Sequence, residues 1–182
     1  RQYIALTREF ADLFHARKRL TSAAPTGPAI VSGSPGQAKG VAIHPLPEGD
    51  GAVVEKVVEG KPAWCAAPNR GSPQRYLYFE VDDAFLFDGD EPVEATVVYL
   101  DAGPPAFELH YDSGDPALGG LAQQFRTGLR QPLGQTRVWK EATVVLPHAR
   151  FAGRANGADL RLASGGQELC VHALTLRRAG GK

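Results

Sequence analysis

Between Val53 and Leu176 the chain repeats one device: a short run of alternating apolar residues, then a Gly- or Pro-rich break. The run Arg75-Tyr-Leu-Tyr-Phe-Glu-Val-Asp-Asp83 shows the period most plainly. Leu77, Phe79 and Val81 fall on one face and Tyr76, Tyr78 and Glu80 on the other, which is the two-residue repeat of a half-buried strand. Further strands are predicted at Val53–Val58, Ala63–Ala66, Val93–Leu100, Ala106–Tyr111, Glu141–Leu146, Asp159–Leu162 and Leu169–Leu176. Turns such as Glu59-Gly-Lys-Pro62 and Ser164-Gly-Gly166 separate them. Many short strands with no helical period between them imply an all-β sandwich. Residues 113–136, polar with scattered Leu and Phe125, read as one long loop.

The N-terminal part differs. Tyr3, Leu6, Phe10, Leu13, Phe14 and Leu20 form a helical stripe over residues 1–22, ended by Pro25, Gly27 and Pro28. Residues 23–50 have linker composition, with one short strand expected at Gly40–Ile43, and the sandwich is assigned to 51–178. The chain has 182 residues, 21 Gly and 14 Pro. That proportion exceeds the usual combined share of roughly 12% and suits a turn-rich β protein. Twenty basic and twenty acidic residues cancel, so no global field favours nucleic acid or an anionic membrane. No apolar run is long enough to span a bilayer as a helix. Arg1 stands where an initiator Met would, so the chain is expected to be a piece of a longer, exported or cell-surface protein.

Sites for chemistry are few. The five histidines lack metal-ligand spacing, and neither a nucleophile elbow nor a phosphate-binding glycine loop occurs. Tyr111 with His110 is a poor catalytic pair, because adjacent strand residues face opposite ways. Asp82, Asp83, Asp88 and Asp90 offer hard oxygen ligands for calcium, but EF-hand spacing is absent and a solvated turn explains the cluster without a ligand. Cys65 and Cys170 are favoured as small buried hydrophobes, with a bridge as the alternative if the first and last strands adjoin. The aromatic residues are the better lead. Rigid rings stack on the C–H faces of sugars, and planar amide or guanidinium groups bridge hydroxyls. On that basis Trp64, Tyr78, Tyr111, Trp139, Arg154 and Asn156 are the candidate ligand-binding residues. Tyr99, in phase with Val93, Ala95 and Val97, is expected in the core.

Taken in order, Tyr76-Leu-Tyr-Phe-Glu-Val, Ala95-Thr-Val-Val-Tyr-Leu-Asp101, Phe107-Glu-Leu-His-Tyr-Asp-Ser113, Trp139-Lys-Glu-Ala-Thr-Val-Val-Leu146, Ala158-Asp-Leu-Arg-Leu162 and Leu169-Cys-Val-His-Ala-Leu-Thr-Leu176 carry a resemblance. Together they resemble the galactose-binding-like jelly rolls of carbohydrate-binding modules attached to bacterial glycoside hydrolases. The resemblance implies a jelly-roll sandwich of eight or nine strands, with a polysaccharide or oligosaccharide bound at one end or on one sheet face. It also implies a neighbouring catalytic domain, and the leader helix resembles the last helix of such a barrel. Related modules often carry an Asp near a structural calcium where this chain has His172, a poor ligand for so hard an ion. The expected function is therefore non-catalytic glycan binding, the alternative being a spacer or docking sandwich with no ligand.

Overall fold

The computed structural model describes residues 27–179. The predicted leader helix lies outside them. Twelve strands form two antiparallel sheets, β1 (Ile30–Ser34), β2 (Gln37–Lys39), β3 (Val41–Ile43), β4 (Val53–Val58), β5 (Lys61–Ala66), β6 (Tyr76–Val81), β7 (Glu91–Leu100), β8 (Ala106–Tyr111), β9 (Arg126–Pro132), β10 (Trp139–Ala149), β11 (Leu160–Ala163) and β12 (Cys170–Arg178). A single turn of helix, α1 (Leu121–Gln124), precedes β9. The first sheet runs β10-β7-β12-β1-β2, and β5, with β4 beyond it, also pairs with β12. The second runs β3-β6-β11-β8-β9.

The all-β sandwich expected from the alternation is what the chain forms, with more strands than the eight or nine foreseen. Residues 30–39, expected within a linker, supply β1 and β2, joined through Pro35 and Gly36 (φ 74°). Residues 113–136, expected to be a loop, contain α1 and β9, which closes the edge of the second sheet against β8.

The core lies between the sheets. Leu77, Phe79 and Val81 of β6, Phe107 and Leu109 of β8, and Leu160 and Leu162 of β11 meet Val93, Ala95 and Val97 of β7 and Leu174 and Leu176 of β12. Tyr99 packs edge-on against Phe107 with ring centroids 5.0 Å apart, in the core as its phase requires. Burying one such ring stabilises the fold by about 1.5–3 kcal/mol. A smaller cluster on the outer side of the first sheet joins Ala63, Leu100, Cys65 and Cys170, with Trp139 packed against it. Cys65 and Cys170 are disulfide-bonded, which corrects the reading of two free hydrophobes. The cause is register: β5 and β12 are neighbours, and the two cysteines stand directly opposite each other.

Candidate functional site

Strand register places a line of large side chains on the outer face of the second sheet. Tyr78 of β6 lies opposite Arg161 of β11, and Arg161 opposite His110 of β8. One step along, Tyr76 flanks Ala163. Arg161 is the hub. Its guanidinium carbon lies 4.2 Å from the Tyr76 ring centroid and 3.8 Å from that of Phe125, which follows α1. A cation over the face of an aromatic ring gains about 0.5–2 kcal/mol, more as water is excluded. Arg161 Nε donates to His110 Nδ1 at 3.0 Å, and Nη1 donates to Tyr78 Oη at 3.3 Å. On the far side of the imidazole, His110 Nε2 lies 3.0 Å from Glu108 Oε2.

This pattern fixes the charge of the histidine. Guanidinium has donors only, so Nδ1 must carry a lone pair and the proton sits on Nε2, where it is donated to Glu108. Burial, with Arg161 adding to it, moves the His110 pKa below its usual value against the opposing pull of Glu108. His110 is therefore neutral at pH 7.

Tyr78 lies on the outer face yet is fully buried. The loop from Leu46 to Gly51 covers it, and a Cβ at Gly51 would stand 2.7 Å from its ring, so only glycine allows the loop this close. Tyr78 Oη donates to Asp50 Oδ1 at 3.0 Å and accepts from Asn156 Nδ2 at 2.9 Å. Burial pushes its phenol above the ordinary range, so it remains a donor. Asn69 pins the covering loop through Asp50 O, Gln74 O and Ala52 N–H. Beside it opens a cleft of about 600 Å³ lined by Leu46, Pro47, Asp50, Ser72 and Asn156. The cleft and the aromatic stack are thus linked through one phenol.

Of the residues singled out from sequence, Tyr78 and Asn156 come together here. The others do not. Trp64 faces inward and packs edge-on against Phe79 at 5.6 Å, with its Nε1 donating to Glu55. Tyr111 is also in the core, its hydroxyl donating to Pro147 O at 2.7 Å. Trp139 sits on the opposite sheet, beside His172, with Nε1 donating to Glu59 O. Arg154 is spent on Asp112, a fully buried carboxylate that it grips with Nε and Nη2 at 2.9 and 2.6 Å. That pair fastens the loop bearing Asn156.

The acidic cluster is divided among local tasks. Asp82 caps the turn by accepting from Ala84 N–H, Asp88 pairs with Arg150, and Asp90 pairs with His148. Among the described residues no three His, Cys, Asp or Glu side chains converge as a metal site would need. His110 and Tyr111 occupy opposite faces of β8.

Sequence reasoning missed Arg161 and Phe125. The signal for Arg161 was a charge between Leu160 and Leu162, an outward position on the middle strand of a sheet. Phe125 was visible as a lone ring in a polar stretch.

No family model matches the chain, and no curated protein sequence matches it. Among solved structures it is similar to the K1 cleaved adhesin domain of Lys-gingipain from Porphyromonas gingivalis W83, at TM-score 0.49 and 10% identity over 84% of this chain and 100% of that one. It is similar to a family 29 carbohydrate-binding module from Piromyces equi at TM-score 0.44 and 5% identity, covering 82% and 87%. A third likeness is to the CBM22-1–GH10 modules of Clostridium thermocellum xylanase 10B, solved with xylohexaose, at TM-score 0.44 and 12% identity, covering 84% of this chain and 26% of that one. All three scores lie below 0.5, so the sandwich assignment rests on the strand pairing above and no ligand is carried over from them.

Proposed function

We propose that this chain is a non-catalytic carbohydrate-binding module that holds a polysaccharide on the outer face of its second sheet. The observation that carries the reading is the stack Tyr76–Arg161–Phe125, linked through the Tyr78 hydroxyl to Asp50 and Asn156 in the wall of the cleft. Two half-buried rings locked by one guanidinium make a rigid apolar platform, and rigid rings lose little entropy when a sugar stacks on them. Asp50 and Asn156 add an acceptor and an amide beside it, the groups that read ring hydroxyls. In the finer reading the module keeps an attached glycoside hydrolase near its substrate outside the cell. The Cys65–Cys170 bridge suits such an oxidising setting.

A ligand-free spacer is the competing reading, and Trp64, Tyr99 and Tyr111 are indeed structural. A spacer has no need of a guanidinium held between rings on an outer face. Affinity electrophoresis through gels containing xylan, β-glucan or galactomannan tests the choice. Retention by at least one, weakened about two- to tenfold by Tyr76→Ala or Phe125→Ala, is expected, since stacking is worth about 0.5–1.5 kcal/mol per ring. Retention by none leaves the spacer.

A further inference from the structure

We propose that the platform is acid-gated: a proton taken up on His110 Nδ1 removes the acceptor that holds Arg161 Nε, frees the guanidinium from between Tyr76 and Phe125, and so weakens glycan binding. The inference rests on the glycan reading for its consequence, but its first step belongs to the protein alone. In the neutral state Nδ1 accepts from Arg161 at 3.0 Å while Nε2 donates to Glu108. Once Nδ1 is protonated, two donors and two positive charges face each other across that distance, and the pairing becomes repulsive. Nε2 can stay on Glu108, so the side chain able to leave is Arg161.

The charged surroundings support release on acidification. Glu108, on the same strand, favours the charged imidazole, but Arg130 on β9 lies 3.9 Å from that carboxylate and shares it. Thr127 faces His110 across β9 and does not titrate. From the other side come Arg161 itself and, behind it, Tyr78 with its phenol kept protonated by burial. Arg126 of β9 is paired with Asp115. Burial and Arg161 together outweigh Glu108, which places the transition on the acid side of an ordinary histidine. His110 is thus a positioning residue for the stack.

The test uses the full chain labelled with ¹⁵N, titrated from pH 8 to 4.5 without ligand. Expected are a neutral Nε2–H tautomer of His110 at pH 8 and a midpoint below the free value of about 6.5. The Arg161 Nε–H signal should be protected at high pH and lost with that same midpoint. Retention on the polysaccharide gel should fall in step, by about tenfold per pH unit below the midpoint. His110→Gln offers an amide oxygen that does not titrate, so the ratio of affinities at pH 8 and pH 5 should collapse towards one, whatever its absolute affinity. An Arg161 signal that survives His110 protonation overturns the gate. So does a pH profile shared by wild type and His110→Gln. If no polysaccharide is retained even at pH 8, the glycan reading fails, and the Arg161 signal still decides whether the release step exists.

Discussion

The outer faces of the two sheets obey the same alternation and carry opposite chemistry. On the first sheet Ser32, Thr175, Thr96 and Thr143 stand opposite one another across β1, β12, β7 and β10. The Thr96 and Thr143 hydroxyls satisfy each other at 2.9 Å, and Arg177 and Glu94, on the neighbouring register positions, form an exposed pair. On the second sheet the equivalent row is Tyr78, Arg161, His110 and Thr127, with Tyr76 and Phe125 stacked on the arginine. Short hydroxyl side chains finish their bonding among neighbours and leave nothing to present. Long planar groups must be held in place by several partners, and the holding creates a shaped surface. The contrast teaches that a binding face is recognised less by its aromatic count than by how many groups are spent on orienting one hub.

The largest break in that contrast should come from Arg161→Ala. It removes the centre of the stack, loosens both rings and strips partners from His110 and Tyr78, so retention on a polysaccharide gel should fall by up to about a hundredfold. The fold should lose about 1–3 kcal/mol in chemical denaturation.

The sheets also differ in how they keep a buried carboxylate, and pH reads the difference. Asp101, at the end of β7, accepts from Lys140 Nζ, Thr136 Oγ1 and the N–H groups of Gly134 and Thr136. Lys140 first and Thr136 next hold it well below the usual carboxylate range, so its contribution is present above about pH 4 and lost as the pH falls. Asp159, before β11, has two backbone donors, Val81 and Gly153, and burial raises its pKa from 3.8 to about 6. The sign is opposite. Above its unfolded pKa the folded state binds the extra proton, so this contribution falls as pH rises from about 4 to about 6, by roughly 3 kcal/mol at most. Asp159→Asn should remove that slope from denaturation curves taken across the window, whatever its offset at any one pH. An unchanged slope would mean that another group carries it.

Tyr78→Phe should come next, at about 1–3 kcal/mol, because Asp50 and Asn156 lose their shared phenol. Its glycan retention should weaken as well, through the loosened wall of the cleft. Smallest is Thr96→Ala on the first sheet, expected within about 0.5 kcal/mol of wild type and without effect on retention. A clear loss of retention there would erase the distinction between the faces.

Legibility followed locality. The bounds of β6 were readable because alternation and turn residues agreed at both ends. The strands β1 and β2 were hidden because Gly33 and Ser34 look like linker, and β12, on which β1 pairs and so carries β2, comes from far along the chain. The face of Trp64 could not be phased: Ala63, Cys65 and Ala66 are all apolar, and β5 is buried on both sides. Tyr111 is readable as core, being in step with Phe107 and Leu109, although its polar tip also suits a ligand contact. Arg161 depends on the joint register of β6, β11 and β8, and no local spacing encodes that.

The position of β12 has a consequence for how the protein is made. One edge of this strand lies on β7, while the other is shared between β1 and β5, and Cys170 ties it to Cys65 across a separation of 105 residues. The last of the described strands is therefore the middle of the first sheet. Until Cys170–Arg178 has emerged from the ribosome, β7 and β1 have no common neighbour and expose unpaired edges. Folding must wait for long-range closure, which is slow and aggregation-prone. A bridge spanning about a hundred residues then limits how far the unfolded chain can open, worth up to roughly 4.7 kcal/mol. The last of the described strands to arrive is also the one the chain ties covalently to the rest.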